Sequence, residues 1–136
     1  MIKIIVTAHG ELAQELVNSA ELIAGKQSNL YAIKRGANDS LIQMQKRIGI
    51  LLRSINNEDG TLILTDMIGG TSCNASAPMC ISFNMEILSG VNLPMLLSAI
   101  FASKSVVSAV DLADKVLFDG QKSIINVKKM LLDSSK

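Results

Sequence analysis

The sequence predicts an α/β domain with a doubly wound, mainly parallel sheet. Three observations point there. β-Branched runs, Ile2, Ile4, Ile5 and Val6 first and Thr61–Thr65 later, have the character of strands buried on both faces. Between such runs, apolar residues recur at helical spacing. Strand and helix patterns alternate up to Phe101 with no internal repeat, low-complexity tract or linker, so residues 1–136 are expected to form one domain.

The first strand ends in Thr7-Ala8-His9-Gly10, and a helical pattern begins at Glu11. Leu12, Leu16, Ala20 and Ile23 follow it at helical spacing, and Gly25 is placed to cap the helix. Leu30–Ile33 reads as the second strand, and Lys34-Arg35-Gly36 turns the chain. Asn38, Asp39 or Ser40 caps a second helix with Leu41, Met44, Ile48, Leu51, Leu52 and Ile55 on its apolar stripe. After the turn cluster Asn56–Gly60 and the strand Thr61–Thr65, a third helix is expected from Thr71 or Ser72, shortened or bent by Pro78. Met85–Leu88 is the fourth strand, and Pro94 stands near the first turn of the next helix. Beyond it, Ser105–Leu112 reads as a helix, Val116–Phe118 as a short strand and Ile124–Leu132 as a C-terminal helix.

At 136 residues the chain is long enough to bury roughly two-thirds of its unfolded surface. Its formal net charge of +1 gives no electrostatic reason to expect nucleic acid or an anionic membrane as partner. A charged fraction of only 18% is consistent with surface covered by another subunit. The apolar run after Lys3 is too short for a signal peptide, and Ile87–Phe101 is broken by Gly90, Asn92 and Pro94 before it reaches the length of a membrane span. Cys73 and Cys80, seven apart, match no zinc spacing and suit one buried helix face. A cytoplasmic location with both thiols free is expected.

With strands in the order 2-1-3-4, the first and third are neighbours at the topological switch point, where open α/β sheets put their chemistry. Their carboxyl ends bring together His9, the single histidine, and Asp66. Taken alone, His9 is a surface turn histidine and Asp66 a turn former before two glycines; together at one edge they form a candidate catalytic pair. Gly69-Gly70 is ordinary turn material, or a loop whose N–H groups approach a ligand, followed by the hydroxyls of Thr71 and Ser72 at a helix start. Histidine, carboxylate and anion cradle together suggest phosphorylation of the imidazole. The chain has no GxxxxGK[ST] loop and no GxGxxG, which leaves ATP or NAD binding unsupported. Two-histidine phosphatase chemistry lacks its second histidine, and a catalytic metal would rest on one histidine with no HExxH-like helix. No metal or cofactor is expected.

The strand ending in AHGELAQEL, the segment LILTDMIGGTSCN and above all EILSGVNLPMLLSAI resemble the mannose-family IIA domain of the bacterial phosphotransferase system. The resemblance runs from the N-terminus to at least Phe101. It implies a homodimer of α/β subunits whose short last strand adds antiparallel to the sheet and can be exchanged between subunits; Val116–Phe118 is the candidate. It also implies that His9 takes a phosphoryl group from phospho-HPr and passes it to a IIB component, here expected to be a separate protein, with the membrane involved only through transporter subunits. By match to the motif, Asp66 orients His9 and Thr71 helps hold the phosphoryl group, in a site that includes Gly10, Gly69, Gly70 and Ser72. The family usually has proline where this chain has Ser72, a change that leaves the loop less restrained but supplies a hydroxyl compatible with phosphate binding. The alternatives are a phosphocarrier subunit of a dihydroxyacetone kinase and a regulatory module controlled by phosphorylation.

Overall fold

A computed structural model describes residues 1–134. Four strands, β1 (Lys3–His9), β2 (Leu30–Arg35), β3 (Thr61–Thr65) and β4 (Met85–Leu88), form one sheet in the order β2-β1-β3-β4. All three pairings are parallel. The expected order 2-1-3-4 is therefore present, with β1 and β3 in the middle.

Alternation along β1 divides the core. Ile4, Val6 and Ala8 face one layer, where α1 (Leu12–Ala24), α4 (Leu93–Ala102) and α5 (Ala109–Lys122) cover the sheet through Ala13, Val17, Leu96, Ile100, Leu112 and Val116. Ile5 faces the other, with Met44, Ile48 and Leu52 of α2 (Leu41–Ile55) and Ala75 of α3 (Thr71–Ser76). Each of these large side chains, once removed from water, contributes about 1.5–3 kcal/mol.

Capping residues set the helix starts. Ser40 begins α2 through a reciprocal box: its hydroxyl accepts the Gln43 N–H, and its own N–H donates to the Gln43 side chain. Asn92 accepts the Met95 N–H ahead of α4, with Pro94 in the first turn, and Gly25 ends α1 at φ +84°. Pro78 limits α3 as expected, and the chain continues through a 3₁₀ turn at Ala77–Ile81.

Several expectations need correction, among them the helix read at Ser105–Leu112, which begins only at Ala109. The buried stripe of α1 is Ala13, Val17 and Ala20, while Leu12 and Ile23 are exposed; small residues let the helix sit close to the sheet. Cys80 is exposed and Cys73 only half-buried, because the buried side of α3 is Ser72, Ala75 and Ser76. Val116–Phe118 is no strand: it lies inside α5, where Ala109, Leu112, Ala113, Val116 and Gly120 are buried at helical spacing. Ser108 caps that helix by accepting the Asp111 N–H. The proposed antiparallel last strand is thus absent from those residues. The C-terminal helix, α6, spans Val127–Ser134, later than the expected Ile124, and buries none of its side chains.

Candidate functional site

β1 delivers His9, and β3, one register step away, ends at Thr65 so that Asp66 follows at the same carboxyl edge. The His9 ring Nδ1 lies 2.6 Å from Asp66 Oδ2. The His9 backbone N–H donates to the same oxygen at 3.0 Å, and the Met67 N–H donates to Asp66 Oδ1, also at 3.0 Å. Both oxygens of this carboxylate are therefore fixed. Its side chain is 12% exposed and that of His9 41%, so the carboxylate is sheltered beneath a ring that reaches solvent.

Burial pushes the Asp66 carboxyl up, but the hydrogen bonds from the His9 ring and backbone, with the Met67 N–H, hold it below its ordinary 3.8. An ionised carboxylate only accepts hydrogen bonds. In the neutral ring, the tautomer that suits this carboxylate has its proton on Nδ1 and its lone pair on Nε2, directed away from Asp66. In that tautomer the arrangement would leave one defined nitrogen able to act as a nucleophile.

The glycine loop comes directly against this ring. A Cβ built on Gly70 would lie 3.5 Å from His9 Cε1, the carbon between the two ring nitrogens, and 3.3 Å from the Met67 carbonyl oxygen. Gly69 occupies φ +80°, a conformation natural only to glycine. Gly10, at φ +58°, donates its N–H to the Arg35 carbonyl at 2.9 Å and turns the chain from β1 into α1. Thr71 opens α3, half-buried. Ser72 is fully buried; its hydroxyl accepts from the Thr7 hydroxyl at 3.2 Å, and its carbonyl accepts from the Ser76 hydroxyl at 2.7 Å. Its hydroxyl is thus turned toward the sheet, and only its main chain remains near the edge.

Two charged pairs flank His9. Lys34 pairs with Glu11 ahead of α1. Arg47 of α2 grips Asp39 with both terminal nitrogens, at 3.0 and 2.9 Å, and donates to the Lys34 carbonyl at 2.7 Å. The Arg47 side chain and the Gly36 N–H together lower the Asp39 carboxyl to about 2. Arg35, assigned to a turn from the sequence, instead belongs to β2 and stands opposite His9 in register. The apolar run stops at Ile33, so no apolar signal in the sequence marks Lys34 and Arg35 as the last two residues of the strand.

Among the described residues, no three histidine, cysteine or acidic side chains gather as a metal site, and no helix is long and apolar enough to cross a membrane.

Residues 3–117 match the family described as "PTS system fructose IIA component". The chain is 33% identical over 101 residues to the PTS system fructose-specific EIIA component of Bacillus subtilis, covering 74% of this chain and 69% of that protein. It is 26% identical to the mannose-specific EIIAB component of Escherichia coli over 93% of this chain, which spans only 40% of that longer protein. Among solved structures, the phosphotransferase system component EIIA from Streptococcus agalactiae superposes with a TM-score of 0.85 at 32% identity, covering 95% of this chain and 99% of that one.

Proposed function

Because this chain belongs to the mannose-type IIA family of the phosphotransferase system, we propose that it is a sugar phosphocarrier, phosphorylated on His9. The observation that carries this assignment is the 2.6 Å contact of Nδ1 with Asp66, which leaves Nε2 as the free nitrogen of a ring 41% exposed. Phospho-HPr is the donor and a IIB component the acceptor, in the cytoplasm. The dihydroxyacetone-kinase and regulatory alternatives are not favoured by these relatives.

In the transfer, the Nε2 lone pair attacks phosphorus in line while the bond from phosphorus to the donor imidazole nitrogen breaks. The electron pair returns to the donor ring. Positive charge grows on the His9 ring as the new bond forms, and the Asp66 carboxylate stabilises it across the Nδ1–H hydrogen bond. The phosphoryl group arrives already activated, so positioning and charge stabilisation suffice. Gly69, Gly70, Thr71 and the main chain of Ser72 form the cradle, supported by the closeness of Gly70 to the ring. Asp66 and Thr71 keep the roles assigned by motif, and Gly10 turns the chain away to leave the ring face open.

The experiment is incubation with phospho-HPr followed by mapping of the acid-labile phosphate. Label on His9 and none on His9→Ala is expected; stable label on the alanine variant overturns the assignment. We further propose that the protein works as a homodimer.

A further inference from the structure

Among the described residues, Arg35 stands opposite His9 in register and makes no ion pair, although its charge still acts on the Asp39 carboxylate from a distance. Lys34 is committed to Glu11 and Arg47 to Asp39, whereas Arg35 makes no ion pair within 4.0 Å among the described residues. Its terminal nitrogen reaches only the Ala37 carbonyl, at 3.5 Å, and its buried Nε has no hydrogen-bond acceptor at all. A guanidinium presents five donors in a rigid fork; here only the buried Nε–H lacks an acceptor, which is costly, while the terminal nitrogens lie toward solvent and are available to an anion.

Register places that fork where acceptors would come. His9 and Arg35 are directly paired across β1 and β2. Ile5 and Ile33 both lie in the core beneath α2, so alternation puts His9 and Arg35 on that same side of the sheet. Neighbouring strands are about 4.8 Å apart, less than the length of an arginine side chain. The backbone at this point is also tied down, since the Arg35 carbonyl accepts the Gly10 N–H immediately after His9.

We infer that Arg35 is a phosphoryl-binding residue of this site: when a phosphoryl group is carried on His9, or is in transfer to it, the guanidinium donates to its peripheral oxygens. The inference rests on the phosphocarrier assignment above and adds the residue that meets the negative charge. Arginine suits a dianionic phosphoryl group because two parallel N–H groups match two oxygens. Arg35 needs only a side-chain rotation, since its present contact at 3.5 Å is weak. Asp66 behind the ring and Arg35 beside it then divide the work. The carboxylate holds the developing positive charge of the imidazole, and the guanidinium holds the negative charge of the phosphoryl oxygens.

The test is rapid-quench labelling of the full chain by phospho-HPr. Wild type, Arg35→Gln, Arg35→Lys and Arg53→Gln are compared, with circular dichroism to establish folding. Arg53, exposed in the last turn of α2, provides the same charge change at the opposite edge of the sheet. Arg35→Gln should slow labelling about 10–100-fold, in keeping with loss of one charge-stabilising donor. Arg35→Lys should recover part of that loss, and Arg53→Gln should match wild type. A wild-type rate in Arg35→Gln, or an equal loss in Arg53→Gln, overturns the inference. Should Arg35→Gln not fold, nitrogen-15 NMR of the wild-type guanidinium decides: the Arg35 Nε–H signal should move on phosphorylation, and an unmoved signal overturns the inference. A wild type that takes no label overturns the phosphocarrier assignment as well, whereas a labelled wild type with an indifferent Arg35→Gln overturns this inference alone.

Discussion

At the scale of single residues, the proposed phosphoryl transfer depends on which of two ring nitrogens holds a proton. Asp66 decides this because its carboxylate accepts from Nδ1 while its other oxygen is held by the Met67 N–H. Asp66→Asn should keep the fold but slow phosphoryl transfer by about 10²–10³-fold, since an amide can donate to Nδ1, place the proton on Nε2 and remove the stabilising charge. Rapid-quench kinetics with phospho-HPr measures this; a wild-type rate would show that Asp66 does not orient the ring. Gly70→Ala tests the loop. Its methyl group would press on the Met67 carbonyl oxygen at 3.3 Å, so the loop must give by a few tenths of an ångström, and it would fill the space against the His9 ring at an ordinary contact distance of 3.5 Å. About a tenfold slower transfer is expected, with a thermal midpoint close to wild type. His9 and Asp66 were legible in the sequence because the ends of two buried strands can be read from β-branched runs. The inward turn of the Ser72 hydroxyl was not, since which side of a short helix faces the sheet depends on tertiary contact.

At the scale of elements, α3 is fastened to β1 by the hydroxyl contact between Thr7 and Ser72, both fully buried. Ser72→Ala leaves the Thr7 hydroxyl without its partner and should cost about 1–2 kcal/mol in urea unfolding. The double variant Thr7→Val with Ser72→Ala should be less destabilised than the sum of the two single variants, because no stranded donor remains; strict additivity would mean that the bond contributes nothing. The start of α2 offers a test against pH. Arg47 and the Gly36 N–H lower the Asp39 carboxyl from 3.8 to about 2 in the folded protein. A depressed carboxyl stabilises the fold above its unfolded value, and that contribution disappears as pH falls through the folded value. Asp39→Asn should therefore be less stable than wild type at pH 6, with the difference mostly gone at pH 2, measured as urea midpoints. The misread element, Val116–Phe118, shows the limit of local pattern. Three adjacent apolar residues suggest a strand, yet Leu112, Ala113, Val116 and Gly120 already repeat at helical spacing, and Phe118 takes the exposed side.

At the scale of the whole molecule, the chain carries an unusual amount of apolar surface toward its C-terminal end. Ile124, Ile125, Val127, Met130 and Leu131 are all exposed, and α6 buries nothing against its own subunit. If the proposed homodimer forms through this surface, the second copy would cover it. Light scattering at micromolar concentration should give twice the chain mass. Truncation after Ser123 should give a monomer whose thermal midpoint is little changed, because no core side chain is removed; a truncated chain that remains dimeric would place the interface elsewhere. The sheet order was legible because four strands separated by helices leave few handed connections to choose from. At the C-terminal end the helix was legible, since Ile124–Leu132 was expected and Val127–Ser134 is helical, but nothing local to the sequence showed that its apolar residues stay exposed.

The charge pairing around His9 has a consequence for the charge of the whole protein. Lys34 with Glu11 and Arg47 with Asp39 leave this edge of the sheet nearly balanced. The chain as a whole carries only +1. A phosphoryl group brings about −1.5 to −2 at pH 7, so loading reverses the sign of the protein rather than merely adjusting it. In the proposed carrier this reversal is expected to appear as a displaced band on a native gel at neutral pH, and an unmoved band after treatment with phospho-HPr would mean that no phosphoryl group was taken up.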